Sequence, residues 1–200
     1  GVTDGANTIT AEASFDNAIT INGGDAIDTI DFSLSSSDLT FIGGGVAAGG
    51  GDADGSDVIT LGTGNSTITF AAAGTAAHTV TLSTGDDSIT FSTVDLDNTV
   101  TISDGDLTSA DTIAGKTGDD TLELDNATTL VDAAFTNVTG FEQIAAATGA
   151  VTMDLTLGAE AEEAGIVTIV AGTGDDTIDA SSYAEVGLIV DLGAGTNTYT

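Results

Sequence analysis

A short phrase recurs in this sequence and constrains its fold more than any other feature. Thr-Gly-Asp-Asp, followed by a hydroxyl residue and an aliphatic residue, stands at 84–89, 117–122 and 173–178. Each copy predicts a turn that glycine permits, then a carboxylate, then a β-branched or aliphatic residue pointing the other way. This order is typical of a coiled β-ribbon whose turns carry acids.

A polar turn residue paired with an aliphatic residue two positions later recurs along most of the chain. The pairs are Asn7/Ile9, Asn17/Ile19, Asp28/Ile30, Asp57/Ile59, Ser66/Ile68, His78/Val80, Asp87/Ile89, Asn98/Val100, Asp111/Ile113, Asp120/Leu122, Asp176/Ile178 and Asn197/Tyr199. A strand about every 10 residues fits an antiparallel sandwich or barrel. The recurrence of alternate pairs at about 20 residues favours a solenoid in which each coil contributes two short strands.

We therefore predict an all-β fold, an elongated parallel β-solenoid (a β-roll or β-helix) with about 20–22 residues per coil. About nine to ten coils would give a length of roughly 45 Å at the usual strand spacing. Regular coils are expected over 1–125 and 171–200, with 126–170 as an irregular insertion or bracket in one continuous unit. Within it, Ala159–Ala164 predicts one or two helical turns ending at Gly165, a short helical insertion near 158–165.

Alternation within the strands assigns their faces. Segments 67–70, 79–82, 88–91 and 99–102 alternate Thr or Ser with Ile, Val, Leu or Phe, which predicts an aliphatic inner face and a threonine outer face. One edge of the ribbon is expected to stack Asp57, His78, Asn98 and Asp120, and the other Ser66, Asp87 and Asp111. Two carboxylates about 4.8 Å apart repel by roughly 1 kcal/mol in water and about 3–4 kcal/mol at an effective dielectric constant near 20. Because this repulsion would recur along the edge, we expect a cation between the coils.

The charge balance restricts the partners of the chain. There are 32 acidic residues against one base, Lys116, for a net charge of −31. Nucleic acid is excluded as a partner because its binding needs clustered Lys and Arg. There is no cysteine for a disulfide or thiolate site, and no apolar run approaches the roughly 18 residues of a membrane span. Most of the acids are Asp, a turn former and a hard oxygen ligand, which favours calcium.

The segment 171–179, Ala-Gly-Thr-Gly-Asp-Asp-Thr-Ile-Asp, resembles the nonapeptide of the RTX (repeats-in-toxin) calcium β-roll found in bacterial surface-layer and adhesin-like proteins. Segments 23–31 and 115–123 match with one glycine replaced in each. The resemblance implies Ca²⁺ between the turns of successive coils, bound by Asp side chains and main-chain carbonyls. The candidate metal ligands are Asp28, Asp57, Asp86, Asp87, Asp111, Asp119, Asp120, Asp175 and Asp176. Ser66, His78, Asn98 and Asn197 stand where the family places Asp, which implies fewer or weaker sites.

Alternative interpretations of these residues have less support than calcium-binding turns. The Asp-Asp turns could be ordinary Asx-turns on a solvated edge. The glycine-rich segment 43–55 could begin an EF-hand, but Thr63 stands where the loop needs an acid, so an enlarged coil loop is expected. The single histidine, His78, is expected to be a drifted turn residue, since a His-Glu-x-x-His metalloprotease motif needs two. A Gly-x-Ser-x-Gly elbow is also absent. We expect no enzyme, no catalytic residues and no organic cofactor.

The expected function is structural. The sequence favours an extracellular or secreted protein at the bacterial cell surface, a calcium-stabilised subunit or module of a surface layer or extracellular filament. Asn197 and Asn7 would fall in phase if two copies joined, so head-to-tail or lateral self-assembly is expected, with a cell-surface polysaccharide as a further candidate partner and no membrane insertion. The alternative is a stalk module of a large secreted RTX adhesin.

Overall fold

The structure, a computed structural model, describes residues 5–11, 17–24, 26–43, 55–71, 74–149, 151–184 and 187–200. Across these residues the chain forms an all-β parallel β-solenoid of about eight turns, with about 22 residues in each. The predicted fold class is therefore confirmed, including the short helical insertion. The coil count of nine to ten was too high, because some coils exceed 22 residues. The predicted loop at 44–54 lies outside the described residues.

Sheet A runs along the whole solenoid and has nine parallel strands. Its strands are β1 (Asn7–Thr10), β3 (Asp28–Asp31), β5 (Val58–Thr60), β7 (Thr79–Thr81), β9 (Thr99–Ile102), β11 (Thr121–Leu124), β14 (Gln143–Ala146), β16 (Thr168–Val170) and β18 (Ile189–Asp191). Equivalent residues pair in register, so that Ile59 opposes Val80 and Val80 opposes Val100. One inward column of aliphatic side chains therefore continues from coil to coil.

Two further sheets, B and then C, follow one another along the side of the solenoid opposite sheet A. Sheet B consists of β2 (Ile19–Gly24), β4 (Leu39–Gly43), β6 (Thr67–Phe70), β8 (Ser88–Thr90), β10 (Thr112–Ala114) and β13 (Val138–Thr139). Sheet C consists of β12 (Thr128–Leu130), β15 (Met153–Thr156), β17 (Thr177–Asp179) and β19 (Thr198–Tyr199). The strand pairs in all three sheets are parallel, because successive coils of a solenoid wind in the same sense.

The core is a thin stack of small aliphatic and phenyl side chains. Val80, Ile89 and Val100 are fully buried, while their threonine neighbours in the strands face outward. Burial of each such side chain contributes about 1.5–3 kcal/mol. Phenyl rings stack at one corner, with centroids 5.2 Å apart for Phe70 and Phe91. The period-2 alternation in the sequence thus becomes an inner and an outer face, as predicted.

The change from sheet B to sheet C occurs within 126–170. After β12, a 3₁₀ turn (Asp132–Phe135) leads to β13, the last strand of sheet B. In the next coil, helix α1 (Ala159–Ala164) packs against that 3₁₀ turn and β13. The helix ends at Gly165, whose φ of 103° is the left-handed conformation that favours glycine. Sheet A continues through this region without interruption, by β14 and β16.

Candidate functional site

A ladder of mostly buried polar side chains follows sheet A from β1 to β14, at the first residue of a strand or the residue just before it. Each member accepts a hydrogen bond from the main-chain N–H of the equivalent residue in the preceding coil. The bonds are Asn7 N–H to Asp28 Oδ1 (3.0 Å), Asp28 to Asp57 Oδ1 (2.8 Å), Asp57 to His78 Nδ1 (3.1 Å), His78 to Asn98 Oδ1 (3.0 Å), Asn98 to Asp120 Oδ1 (2.7 Å) and Asp120 to Glu142 Oε2 (2.8 Å). The ladder satisfies main-chain donors that face the interior.

Sheets B and C carry shorter ladders of the same kind. In sheet B, the N–H of Ser66 donates to Asp87 Oδ1 at 2.7 Å, and the N–H of Asp87 donates to Asp111 Oδ1 at 2.8 Å. In sheet C, the N–H of Met153 donates to Asp176 Oδ1 at 2.8 Å. Both edges predicted from the sequence are therefore formed, and their members contact one another by way of the main chain.

One prediction about these carboxylates was wrong. The carboxylate was expected to point away from the aliphatic residue that follows it, yet Asp87 and Ile89 are both buried, with 1% and 0% of their surfaces exposed. Residues i and i+2 of an extended chain lie on the same side, so the buried aliphatic residue carries the turn residue inward with it. The second aspartate of each phrase is therefore a buried acceptor.

His78 is a ladder residue, as expected for a drifted turn position. Its Nδ1 accepts the N–H of Asp57, and its own N–H donates to Asn98. Its ring stacks on Phe70 with centroids 3.8 Å apart. The side chain of His78 is fully buried. These contacts assign His78 to the interior of the scaffold.

The first aspartate of each phrase is exposed and takes part in a second set of short ladders, one at the turns of each sheet, that run in the opposite direction. Here a side chain accepts the N–H of the following coil. The bonds are Asn65 N–H to Asp38 Oδ1 (2.9 Å), Asp86 to Asn65 Oδ1 (3.0 Å), Asp119 to Asp97 Oδ1 (3.0 Å) and Thr196 to Asp175 Oδ1 (2.7 Å). Each Asp-Asp turn is thereby tied to its neighbouring coils.

The sequence analysis missed several members of these ladders. Asp38, Asn65, Asp97 and Glu142 were not singled out, although each receives an N–H from an adjacent coil. The signal was present in the spacing. Asn65 precedes Asp86 by 21 residues, and Glu142 follows Asp120 by 22. A search at the coil period for any side-chain acceptor, rather than for Asp alone, would have found them.

The glycine of the phrase is required by the close approach of two coils. Gly118 has a φ of +123°, and a Cβ added there would lie 2.2 Å from the carbonyl oxygen of Leu96 in the preceding coil. A side chain would therefore be strained in its backbone conformation and would also strike main-chain atoms. This explains why glycine precedes the aspartates in every copy.

The buried ladder leaves carboxylate oxygens without partners. Within the described residues, Oδ2 of Asp28, Asp87, Asp120 and Asp176 is buried and accepts no hydrogen bond. Burial raises the pKa of Asp87 to about 7, with smaller contributions from the carboxylates of Asp111 and Asp106. The N–H of Ser66 opposes this rise.

The pKa values of Asp120 and Asp106 are raised as well. Burial raises the pKa of Asp120 to about 7, assisted by the carboxylates of Glu142 and Asp97 and opposed by hydrogen bonds from Asn98. Burial also raises the pKa of Asp106, with the Asp125 carboxylate adding to the effect. A buried carboxylate with an unsatisfied oxygen is stabilised by a proton or by a cation.

The nine predicted metal ligands divide between the ladders and the surface. Asp28, Asp57 and Asp120 are in the sheet A ladder, Asp87 and Asp111 in that of sheet B, and Asp176 in that of sheet C. Asp86, Asp119 and Asp175 are exposed beside them. Across the described ranges, no three His, Cys, Asp or Glu side chains converge on a point that could hold a metal ion.

Comparison with protein-family models, curated proteins and solved structures finds no match to this chain. In the part of the chain that the structure describes, no helix has the length and apolar character needed to cross a bilayer. The parallel solenoid is compatible with an RTX β-roll.

Proposed function

We propose that this chain is a structural module of a bacterial surface layer or extracellular filament, and that calcium stiffens it. The observation that carries the proposal is the buried carboxylate ladder. Oδ2 of Asp28, Asp87, Asp120 and Asp176 lacks a hydrogen bond. The chain has 32 acidic residues and one base to neutralise them. Charge of this kind, buried along the axis of a solenoid, is stabilised by a hard cation with oxygen ligands.

The repeated geometry supports a scaffold rather than a reaction centre. Equivalent side chains make equivalent contacts in successive coils, as in the bonds that Asp57 and Asn98 accept from or donate to their neighbours. A catalytic site instead brings unlike groups together in one place. Repeat architecture also gives stability that adds from coil to coil, which suits an extended structural element.

The proposed calcium ligands are the second aspartates of the phrases, chiefly Asp87, Asp120 and Asp176. Each already uses Oδ1 to accept a main-chain N–H, so Oδ2 is the oxygen left for a cation. The exposed Asp86, Asp119 and Asp175 would draw cations to the same turns. Calcium accepts a mixture of carboxylate and carbonyl oxygens in flexible geometry.

Thermal unfolding at pH 8, followed by circular dichroism, tests the proposal. Calcium should raise the melting temperature above that in EDTA, and magnesium at the same concentration should raise it less. In the triple variant Asp87→Asn, Asp120→Asn, Asp176→Asn, each Oδ1 acceptor is kept and the charge removed, so the gain from calcium should disappear. Negative-stain microscopy should show filaments or sheets in calcium. Identical melting temperatures in calcium and in EDTA would refute calcium stabilisation, and dispersed single particles in calcium would refute the assembly.

A further inference from the structure

A small recess lies on the side of the solenoid where the chain enters sheet B. Its lining consists of Leu107, Thr108 and Ser109, from the segment between β9 and β10, and of Val131, Ala133 and Ala134, from the segment between β12 and β13. Leu107 and Ala134 are buried, while Val131 is 53% exposed at the rim. The recess is open to solvent and has a volume of about 220 Å³. Small-molecule sites usually measure about 300–1,000 Å³, so this recess suits a single side chain better than a cofactor.

The lining of the recess carries no charge. None of its six residues is acidic or basic, in a chain with a net charge of −31. Asp132 lies between two of them in the sequence, but its Oδ1 accepts the N–H groups of Gly158 and Ala161 at the start of α1. The helix therefore engages the nearest carboxylate in the sequence, and the recess itself presents a mostly apolar surface.

Leu34 supplies a projecting apolar side chain on the same side of the molecule. It lies at the tip of the turn between β3 and β4, which is closed by a 2.7 Å hydrogen bond from Ser35 N–H to the carbonyl oxygen of Phe32. Leu34 is 70% exposed, the highest value for a large hydrophobic side chain in the described part of the chain. Residues 33 and 35–37 are all serine. The tip is therefore an uncharged projection that carries one apolar group.

A single exposed leucine is common on protein surfaces, and its position relative to the recess is what distinguishes Leu34. Nine large hydrophobic side chains are exposed among the described residues. Only Leu34 and Val131 of these nine lie in segments that lead into sheet B. The others lie on strands or in segments that lead into sheet A, as Ile27 and Val94 do. The projection and the rim of the recess are thus the two exposed apolar features of this side.

The projection and the recess are too far apart to meet within one chain. The Leu34 turn follows β3, and β3, β5, β7 and β9 are consecutive strands of sheet A. The recess, formed by the segments after β9 and β12, therefore lies three to four coils further along the solenoid. Coils are about 4.8 Å apart, so the separation is roughly 14–19 Å. A leucine side chain cannot span that distance, and the recess needs an occupant from outside the chain.

We propose that two copies of this chain form a dimer in which Leu34 of each copy enters the recess of the other. A two-fold axis that crosses this side midway between the two features exchanges them, so both contacts form at once and the two solenoids run in roughly opposite directions. Such an interface is isologous and closes on itself. The midpoint falls at the turns after β5 and β7, where Thr63 and Thr84 are exposed, short and uncharged.

Charge opposes this dimer and makes its affinity depend on salt. Each copy has a net charge of −31, and Asp38 and Asp86 are exposed on the same side as the contact. Repulsion between exposed charges is screened beyond about 8–10 Å at ionic strengths of 0.1–0.15 M. We therefore expect a weak dimer that added salt tightens. The dimer goes beyond the proposed function, because it needs neither calcium nor a filament.

Sedimentation velocity in EDTA, over a range of protein and NaCl concentrations, tests the dimer. The wild-type protein should show a monomer–dimer equilibrium. The variant Leu34→Ser removes two buried leucines from each dimer and should raise the dissociation constant at least about tenfold. The variant Ala133→Glu places a charge in the recess and should have a similar effect. Val94→Ser is the matched control on the opposite side and should leave the dissociation constant unchanged. Circular dichroism checks that each variant is folded.

Cysteine cross-linking tests the two-fold geometry, because the chain has no cysteine of its own. The double variant Leu34→Cys, Ser109→Cys should form disulfide-linked dimers and nothing larger. Neither single variant should cross-link, since equivalent residues of the two copies stay well beyond the Cα separation of about 4.4–6.8 Å that a disulfide requires. Linked trimers and longer species would mean an open chain of contacts and would overturn the closed dimer.

Three further outcomes would overturn the proposal. The first is a wild-type protein that stays monomeric at every protein and salt concentration. The second is a dimer that both Leu34→Ser and Ala133→Glu leave intact, and the third is a dimer that Val94→Ser weakens as much as Leu34→Ser does. Because sedimentation is measured in EDTA, a failure here leaves calcium stabilisation standing, and a failure of calcium to raise the melting temperature leaves the dimer standing.

Discussion

The main-chain N–H of Asp87 donates a hydrogen bond to Oδ1 of Asp111, its equivalent in the next coil, at 2.8 Å. Asp87 in turn accepts the N–H of Ser66 from the preceding coil. The contact needs an oxygen on the side chain but does not need a charge. Asn98 makes the same contact in sheet A with an amide, accepting the N–H of His78. The acceptor and the charge of the ladder residues are therefore separable.

Replacement of Asp87 by Asn should stabilise the protein in EDTA at pH 8. The amide oxygen keeps the bond from Ser66 and removes a buried charge, as at Asn98. Replacement by Ala removes the acceptor as well and leaves a buried N–H unsatisfied, at a cost of about 1–3 kcal/mol. Chemical denaturation measures both variants. Equal destabilisation by Asn and by Ala would show that the carboxylate itself is required.

Without divalent cations, the protein should lose stability as the pH rises from about 5 to about 8. The pKa values of Asp87 and Asp120 are raised to about 7 in the folded protein, above those of the unfolded chain. The folded state therefore binds protons more tightly, and the stability it gains below about pH 4 is lost as the pH passes about 7.

Melting temperatures measured in EDTA across this pH range test the effect. The double variant Asp87→Asn, Asp120→Asn is the control, and its melting temperature should depend less on pH. A wild-type melting temperature that rises from pH 5 to pH 8 in EDTA would contradict the prediction.

The sequence predicted the repeat and both ladder edges but not that the ladder side chains are buried. The in-phase positions of Asp87 and Asp111 identify equivalent turns, and alternation identifies the buried face. The spacing of Asp87 and Ile89 implies that both side chains point inward. The prediction instead followed the general rule that a carboxylate lies in solvent. The change from sheet B to sheet C was not predicted, since the sequence marked 126–170 only as an irregular insertion.

Replacement of Gly118 by Ala should destabilise the protein by about 2–5 kcal/mol, the sum of left-handed strain and overpacking. The added Cβ would lie 2.2 Å from the carbonyl oxygen of Leu96. Gly105 is the control, since its φ is also positive, at +84°, but no atom lies within 4 Å of an added Cβ. Its replacement by Ala should cost only about 1–2 kcal/mol. Equal losses in chemical denaturation would mean that strain alone, and not the contact between coils, requires glycine.

Asp132, in the preceding coil, accepts hydrogen bonds from the first turn of helix α1, and its replacement should destabilise that turn. Its Oδ1 accepts the N–H groups of Gly158 and Ala161 at 2.8 and 3.0 Å, serving as an N-cap that the helix does not supply itself. Replacement by Ala should cost about 0.5–2 kcal/mol. It should also speed hydrogen exchange at these amides, which mass spectrometry measures. Asp154 is the control, since it is exposed on β15 and its carboxylate has no hydrogen bond within the described residues. If Asp154→Ala speeds exchange in α1 as much as Asp132→Ala does, the effect comes from charge and not from the cap.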